Sequence, residues 1–240
     1  MNKVTLNSLF LSFVTLSLST LGGWLITLKL ADTEAGISFL YLSMSVASAI
    51  FICQALIFRS AQKKLLSQLI YFGSFGFTMG WLMFSLFIPL FWVNSIGIMS
   101  KIVFFSISII ICIANILISL RTLDRKWNTV GAVEFENRFR PADSTVDWDK
   151  VVEKMKITPE LYLPGVPKSW YPAISILLVV LMFVGMSLRT AYPVFSAFAW
   201  GIPFAVTAAF FLQMSGYLFA QACKIRALEK SRSLTLKSTA

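Results

Sequence analysis

Among the side chains within the long apolar stretches of this 240-residue chain, three amides, Gln54, Asn115 and Gln213, and three thiols, Cys53, Cys112 and Cys223, stand out as able to do more than pack. A side-chain amide donates and accepts hydrogen bonds but does not ionise near neutral pH. The thiols are odd in number and lack metal-ligand spacing, so they read as small, polarizable packing residues. Histidine is absent. That removes Ser–His and Cys–His nucleophile pairs, histidine metal sites and the commonest general base.

Acid–base chemistry would have to come from carboxylates. Asp143, Asp147 and Asp149 cluster at 143–149, where a helix start accounts for acids through the dipole alone. No Asp, Glu, Lys or Arg lies well inside an apolar run, whereas ion-coupled transporters, proton relays and voltage sensors depend on such residues. Neither a phosphate-binding glycine loop nor a cysteine pair occurs. The expectation is a non-enzymatic chain with no cofactor and no metal.

These residues must be positioned by membrane helices. Apolar residues make up 57% of the chain and charged residues 13%, against about half and about a quarter in soluble domains. Six uncharged runs, 4–28, 35–58, 65–100, 102–120, 169–188 and 190–223, each reach the roughly 18 to 20 residues that cross a bilayer core. Backbone amides in hydrocarbon must satisfy one another, which selects helices for runs of this length. The predicted fold is an all-α polytopic bundle with spans at 8–28, 37–58, 67–92, 98–120, 172–189 and 194–222. The first reads as an uncleaved span, because its apolar stretch of about 20 residues exceeds the 7–15 of a signal peptide. No inverted internal repeat of the secondary-transporter type is evident.

Orientation follows from Lys and Arg, which collect on the cytoplasmic side. With both termini inside, 18 of the 21 basic residues are cytoplasmic; the outer loops keep only Lys29, Lys101 and Arg189. Trp92, Trp170, Tyr171 and Tyr192 fall at expected interfaces. The chain then divides into four spans over 1–120, a cytoplasmic loop at 121–171, two spans over 172–223 and a basic tail at 224–240. The net charge of +10 is accounted for by boundary clusters such as Arg59, Lys63 and Lys64 resting on anionic lipid head groups. No basic stripe interleaved with aromatics suggests nucleic acid.

Helices in lipid associate where small side chains admit close approach and polar ones bond across. Ala197, Gly201, Ala205 and Ala209 recur every four residues in the sixth span, with Gln213 continuing the row, and Pro203 predicts a kink there. Gly76 and Gly80 form a GxxxG step in the third span, and Ser108, Cys112, Asn115 and Ser119 share one face of the fourth. Gln54, Asn115 and Gln213 are expected to gather as a polar layer in the cytoplasmic half of the bundle. Interhelical bonding and a water-filled vestibule both fit that layer.

The 51-residue loop is longer than a connection requires. Arg121 to Asn128 extends the fourth helix, alternation at 133–136 predicts an extended strand, and Pro141–Ala142–Asp143 predicts a turn. Ser144 or Thr145 would cap a helix of about three turns in which Trp148, Val151, Val152 and Met155 line one face. Pro159, Pro164 and Pro167 stiffen an extended return. The apolar stripe either covers the loop's own segments or the membrane surface, or docks a cytoplasmic or membrane partner, including a second copy of the chain.

The function expected is therefore a multi-pass protein, taken as bacterial inner-membrane, that recruits, restrains or is recognised by another protein through 121–171. Sensors of defence systems, immunity or exclusion proteins and secretion subunits would all fit. The alternative is an oligomeric pore or facilitator for ions or a small neutral solute, using the sixth span's small face and the amide layer. A lipid-modifying enzyme is the least favoured.

Overall fold

The computed structural model describes residues 3–60, 64–188 and 190–238, so the charges expected at Lys63 and Arg189, and the side chain of Lys3, lie outside what is described. Six helices are long and apolar enough to cross a membrane. They are α1 (Lys3–Leu30), α2 (Thr33–Ser60), α3 (Leu65–Phe87), α4 (Ile98–Lys126), α7 (Tyr171–Ser187) and α8 (Pro193–Arg232). α3 continues as a tighter turn at Ile88–Trp92, where Pro89 occupies an early position, a site at which its missing N–H costs little. Pro172 and Pro193 similarly open α7 and α8.

α8 is the hub. It packs most extensively on α3 and α4 and also carries α7, while α1 and α2 attach on the α3 side. Small residues set this arrangement. A Cβ on Gly76 would collide with Ser215 Oγ and lie 3.2 Å from the Phe211 carbonyl oxygen, so the two backbones meet here at a distance only glycine allows. Thr20 and Ser43 hydroxyls bond across α1 and α2 at 2.9 Å. Outward faces are apolar: Ile102, Ile109 and Ile113 on α4, and Ile176, Val180 and Phe183 on α7, are all exposed, as expected of lipid-facing positions. α8 stays helical through Pro203.

Two helices are too long for a bilayer. Helical residues run over Ile98–Arg138, 41 residues, and over Pro193–Arg232, 40 residues. At 1.5 Å per residue each spans about 60 Å, twice the hydrocarbon thickness. Both overshoot at the same end, because the far ends of α4 and α8 meet the start of α3 in one core containing Leu65, Leu123, Trp127, Ile225 and Leu236.

This head includes most of the long loop. α4 passes through a wide π turn at Trp127–Gly131 into α5 (Ala132–Arg138). The strand expected at 133–136 is thus replaced by helix. Leu123, Trp127, Gly131 and Phe135 recur every four residues and are all buried. A spacing of four overshoots the 3.6-residue turn, and the wide turn takes up the drift so that the row keeps facing the core. Two alternating pairs, Val133–Glu134 and Phe135–Glu136, were too short a pattern to overrule that row. Gly131 also lets α6 approach, since a Cβ there would lie 2.7 Å from Met155 Sδ.

A turn at 141–144 joins β1 (Phe139–Arg140) to β2 (Thr145–Val146), which pair antiparallel. β3 (Lys237–Ser238) adds in parallel beside β2. α6 (Trp148–Met155) then runs eight residues, about two turns rather than three. Its cap is Asp147, whose carboxylate accepts from the Lys150 N–H at 3.3 Å. Ser144 and Thr145 are taken by the turn and by β2, which is why neither caps. The segment 224–240 is not a loose tail over its described residues: α8 reaches Arg232, Ser233 ends it in a left-handed conformation, and Leu236 is fully buried. The Leu65 N–H donates to the Leu236 carbonyl at 3.1 Å, tying this end to α3.

Candidate functional site

The apolar stripe of α6 faces inward. Trp148, Val151 and Met155 are 3%, 0% and 1% exposed, and Val152 packs half-buried against the same core. Trp148 Nε1–H donates to Gln221 Oε1 at 2.9 Å, and its ring lies 6.0 Å from that of Trp127. The face expected to dock a partner is spent on the head's own interior. Its cover is the stretch of α8 from Tyr217 to Leu228 together with Leu236, the later part of which was expected as a basic tail. What α6 leaves exposed is Asp149, Lys150, Glu153 and Lys154.

Charge and aromatics hold the head's rim. The Arg232 guanidinium lies 5.2 Å from the Phe135 ring and 4.8 Å from Phe139, and pairs with Glu136. Lys224 pairs with Asp124. The hydrogen bond from Lys150, reinforced by its positive charge, holds the Asp147 carboxyl below the usual carboxylate range.

The three amides bond to different partners. Gln54 Nε2 donates to the Ser74 carbonyl at 3.1 Å and to Thr78 Oγ1 at 2.8 Å, which joins α2 to α3. Asn115 and Gln213 converge instead on the return segment of the loop. Asn115 Nδ2 donates to the Tyr162 carbonyl at 2.7 Å, and the Tyr162 N–H donates back to Asn115 Oδ1 at 2.9 Å. Gln213 Nε2 donates to the Glu160 carbonyl at 2.7 Å. Two side chains from α4 and α8 thus supply the partners that an extended strand would otherwise lack near hydrocarbon. Leu161, between the two clamped residues, packs against Cys112, Ala209 and Leu212. Ser108 and Ser119 complete the buried face of α4 with backbone bonds within their own helix.

The small-residue row of α8 is packed throughout. Ala197, Ala205 and Ala209 are at most 5% exposed, and a Cβ on Gly201 would fall 2.5 Å from Leu90 and 3.3 Å from Phe104. Gly80 meets Leu212 at an ordinary 3.4 Å, unlike Gly76. Cys112 is buried, Cys53 and Cys223 are exposed, and all three are free.

Between α4, the return segment, the start of α7 and α8 lies a cavity of about 250 Å³. Lys126, Lys156, Lys168, Glu160, Gln213 and Tyr217 are among its walls. Lys168 pairs with Glu160 at 2.8 Å, and Tyr217 is buried beside Thr122 in the same wall. No group of three or more His, Cys, Asp or Glu converges on a point among the described residues. The cavity was not foreseen in the sequence, although Gln213, Tyr217 and Gln221 at spacing four continue the face of the small-residue row toward the end of the expected span. No family model matches the chain, and neither a curated protein nor a solved structure is similar to it.

Proposed function

We propose that this is a non-enzymatic multi-pass inner-membrane protein whose cytoplasmic head, built on 121–171 and the end of α8, is the surface through which it recruits, restrains or is recognised by another protein. One observation carries this. The helical stretches Ile98–Arg138 and Pro193–Arg232 run about twice the length a bilayer needs and end in a head with its own hydrophobic core. A flexible connection would have sufficed to join α4 to α7. Ordering some fifty extra residues costs backbone and side-chain entropy at every one, and continuous helices couple the head rigidly to the bundle.

The recognition surface is polar. With Trp148, Val151 and Met155 buried, contact falls to the exposed α6 side chains Asp149, Lys150, Glu153 and Lys154. Mixed charge of this kind supplies orientation and association rate more than affinity. Orientation toward the cytoplasm rests on the 18 to 3 distribution of basic residues. Roles in sensing, immunity, exclusion or secretion all fit such a surface. An oligomeric pore would need the small-residue face of α8 free, and Leu90 and Phe104 fill it.

The test is a photo-crosslinking residue placed at Lys150 or Lys154 in living cells, with lipid-facing Val180 as control. A discrete protein adduct at the head and none at Val180 is the expected result. Absence of an adduct at Asp149, Lys150, Glu153 and Lys154 alike would refute the proposal.

A further inference from the structure

The cavity beside the return segment has an unbalanced charge. Three lysines, Lys126, Lys156 and Lys168, contribute to its walls against one carboxylate, Glu160, and that carboxylate is engaged by Lys168. Among the described residues, no carboxylate is ion-paired with Lys126 or Lys156. A second observation is independent of charge. Gln213, 1% exposed, lines the same cavity, and its Oε1 has no donor in the protein. Its Nε2 is committed to the Glu160 carbonyl, so the amide cannot turn to satisfy itself. A buried acceptor without a donor loses solvation that it does not recover.

Both deficits call for one kind of ligand: a phosphate, to balance the lysines, on a molecule that also carries a hydroxyl able to donate to Gln213. Water can satisfy the amide but not the charge. We propose that this cavity binds a hydroxyl-bearing phosphate ester, and its position indicates the source. Ile118, Thr122 and Tyr171 are among its walls, at the level where Arg121 and Arg125 end the apolar stretch of α4. That is the depth of lipid head groups. Lys156 is itself the left-handed residue that ends α6, and the neighbouring Glu160 and Tyr162 backbone is fixed by the Asn115 and Gln213 bonds. The loop's return thus builds a wall of the site. The inference does not depend on the head's role in recognition.

The experiment reconstitutes the full chain in vesicles of equal parts phosphatidylcholine and phosphatidylglycerol, then reads retained lipid by native mass spectrometry. Wild type should retain phosphatidylglycerol preferentially, and Lys126→Gln with Lys156→Gln should reduce that preference about tenfold, since each lysine near an anionic surface contributes measurably. Lys101→Gln, at the other end of α4, should leave it unchanged. A parallel arm adds glycerol 3-phosphate to detergent-solubilised protein and follows thermal unfolding. Stabilisation of wild type but not of the double variant, without lipid preference, would support the same site with a soluble ligand. Lys156→Gln alone, at an exposed position, covers the case in which the double variant misfolds. No preference in either arm, or an equal loss in Lys101→Gln, would overturn the proposal.

Discussion

Replacing Asn115 by Leu removes the clamp on the return segment while keeping the side chain's size. In the structure Asn115 gives one hydrogen bond to the Tyr162 carbonyl at 2.7 Å and takes one from its N–H at 2.9 Å. Each bond is worth about 1 kcal/mol net, and the backbone groups left without partners add about 1 kcal/mol or more. The expected cost of opening is therefore about 3 kcal/mol, which lowers protection of the Tyr162 amide roughly a hundredfold. Amide hydrogen exchange on reconstituted protein reads this directly, comparing peptides over 157–167 with peptides from the centre of α8. Wild type should protect the segment, Asn115→Leu should release it, and α8 should be unaffected in both. Asn115→Asp should fall between them, because it keeps the acceptor for the Tyr162 N–H but sets an oxygen against the Tyr162 carbonyl. If Asn115→Leu leaves protection over 157–167 intact, the segment is not held by this amide and the assignment of Asn115 is wrong.

The two glycines of the α3 step should behave differently. Gly76→Ala forces a collision with Ser215 and should destabilise the bundle by about 1–3 kcal/mol in detergent unfolding, whereas Gly80→Ala meets Leu212 at 3.4 Å and should be nearly silent. Trp148→Phe strands Gln221 Oε1 in the head and should cost about 1–3 kcal/mol; a head whose proteolytic resistance is unchanged would count against that bond. The Asp147 carboxyl is held below its ordinary value, so its contribution to the α6 cap is complete at neutral pH and fades as pH falls through that lowered value. Asp147→Asn should remove this component of the head's acid sensitivity, followed by Trp fluorescence.

The membrane part of the fold is legible because hydrocarbon leaves the backbone few options. Each expected span has its helix; most ends that moved did so outward, as with α8 from 222 to 232, while α7 stops at Ser187, short of the expected 189. Hydropathy falls at Lys224, where charged residues begin, but the hydrogen bonding of α8 continues to Arg232. That distinction hid the head. With α8 ended at 222, Ile225, Leu228 and Leu236 could not be seen to cover Trp148 and Val151, so a buried stripe looked like a free surface. An amphipathic pattern identifies which side chains need cover, not what supplies it. The amides were recognisable as hydrogen-bonding groups, but their partners, the backbone of Glu160 and Tyr162, lie 47 to 53 residues away in sequence. No local spacing encodes such a contact. The cavity walls are a consequence of that same long-range clamp.

The side of the membrane on which the head lies decides whether it can meet a cytoplasmic partner. With Cys53, Cys112 and Cys223 replaced by Ser, a single cysteine at Lys154 can be challenged with a membrane-impermeant maleimide in intact cells and in inverted vesicles. Labelling confined to inverted vesicles is the predicted result. Labelling of intact cells would put 121–171 on the outer face and contradict the proposed function.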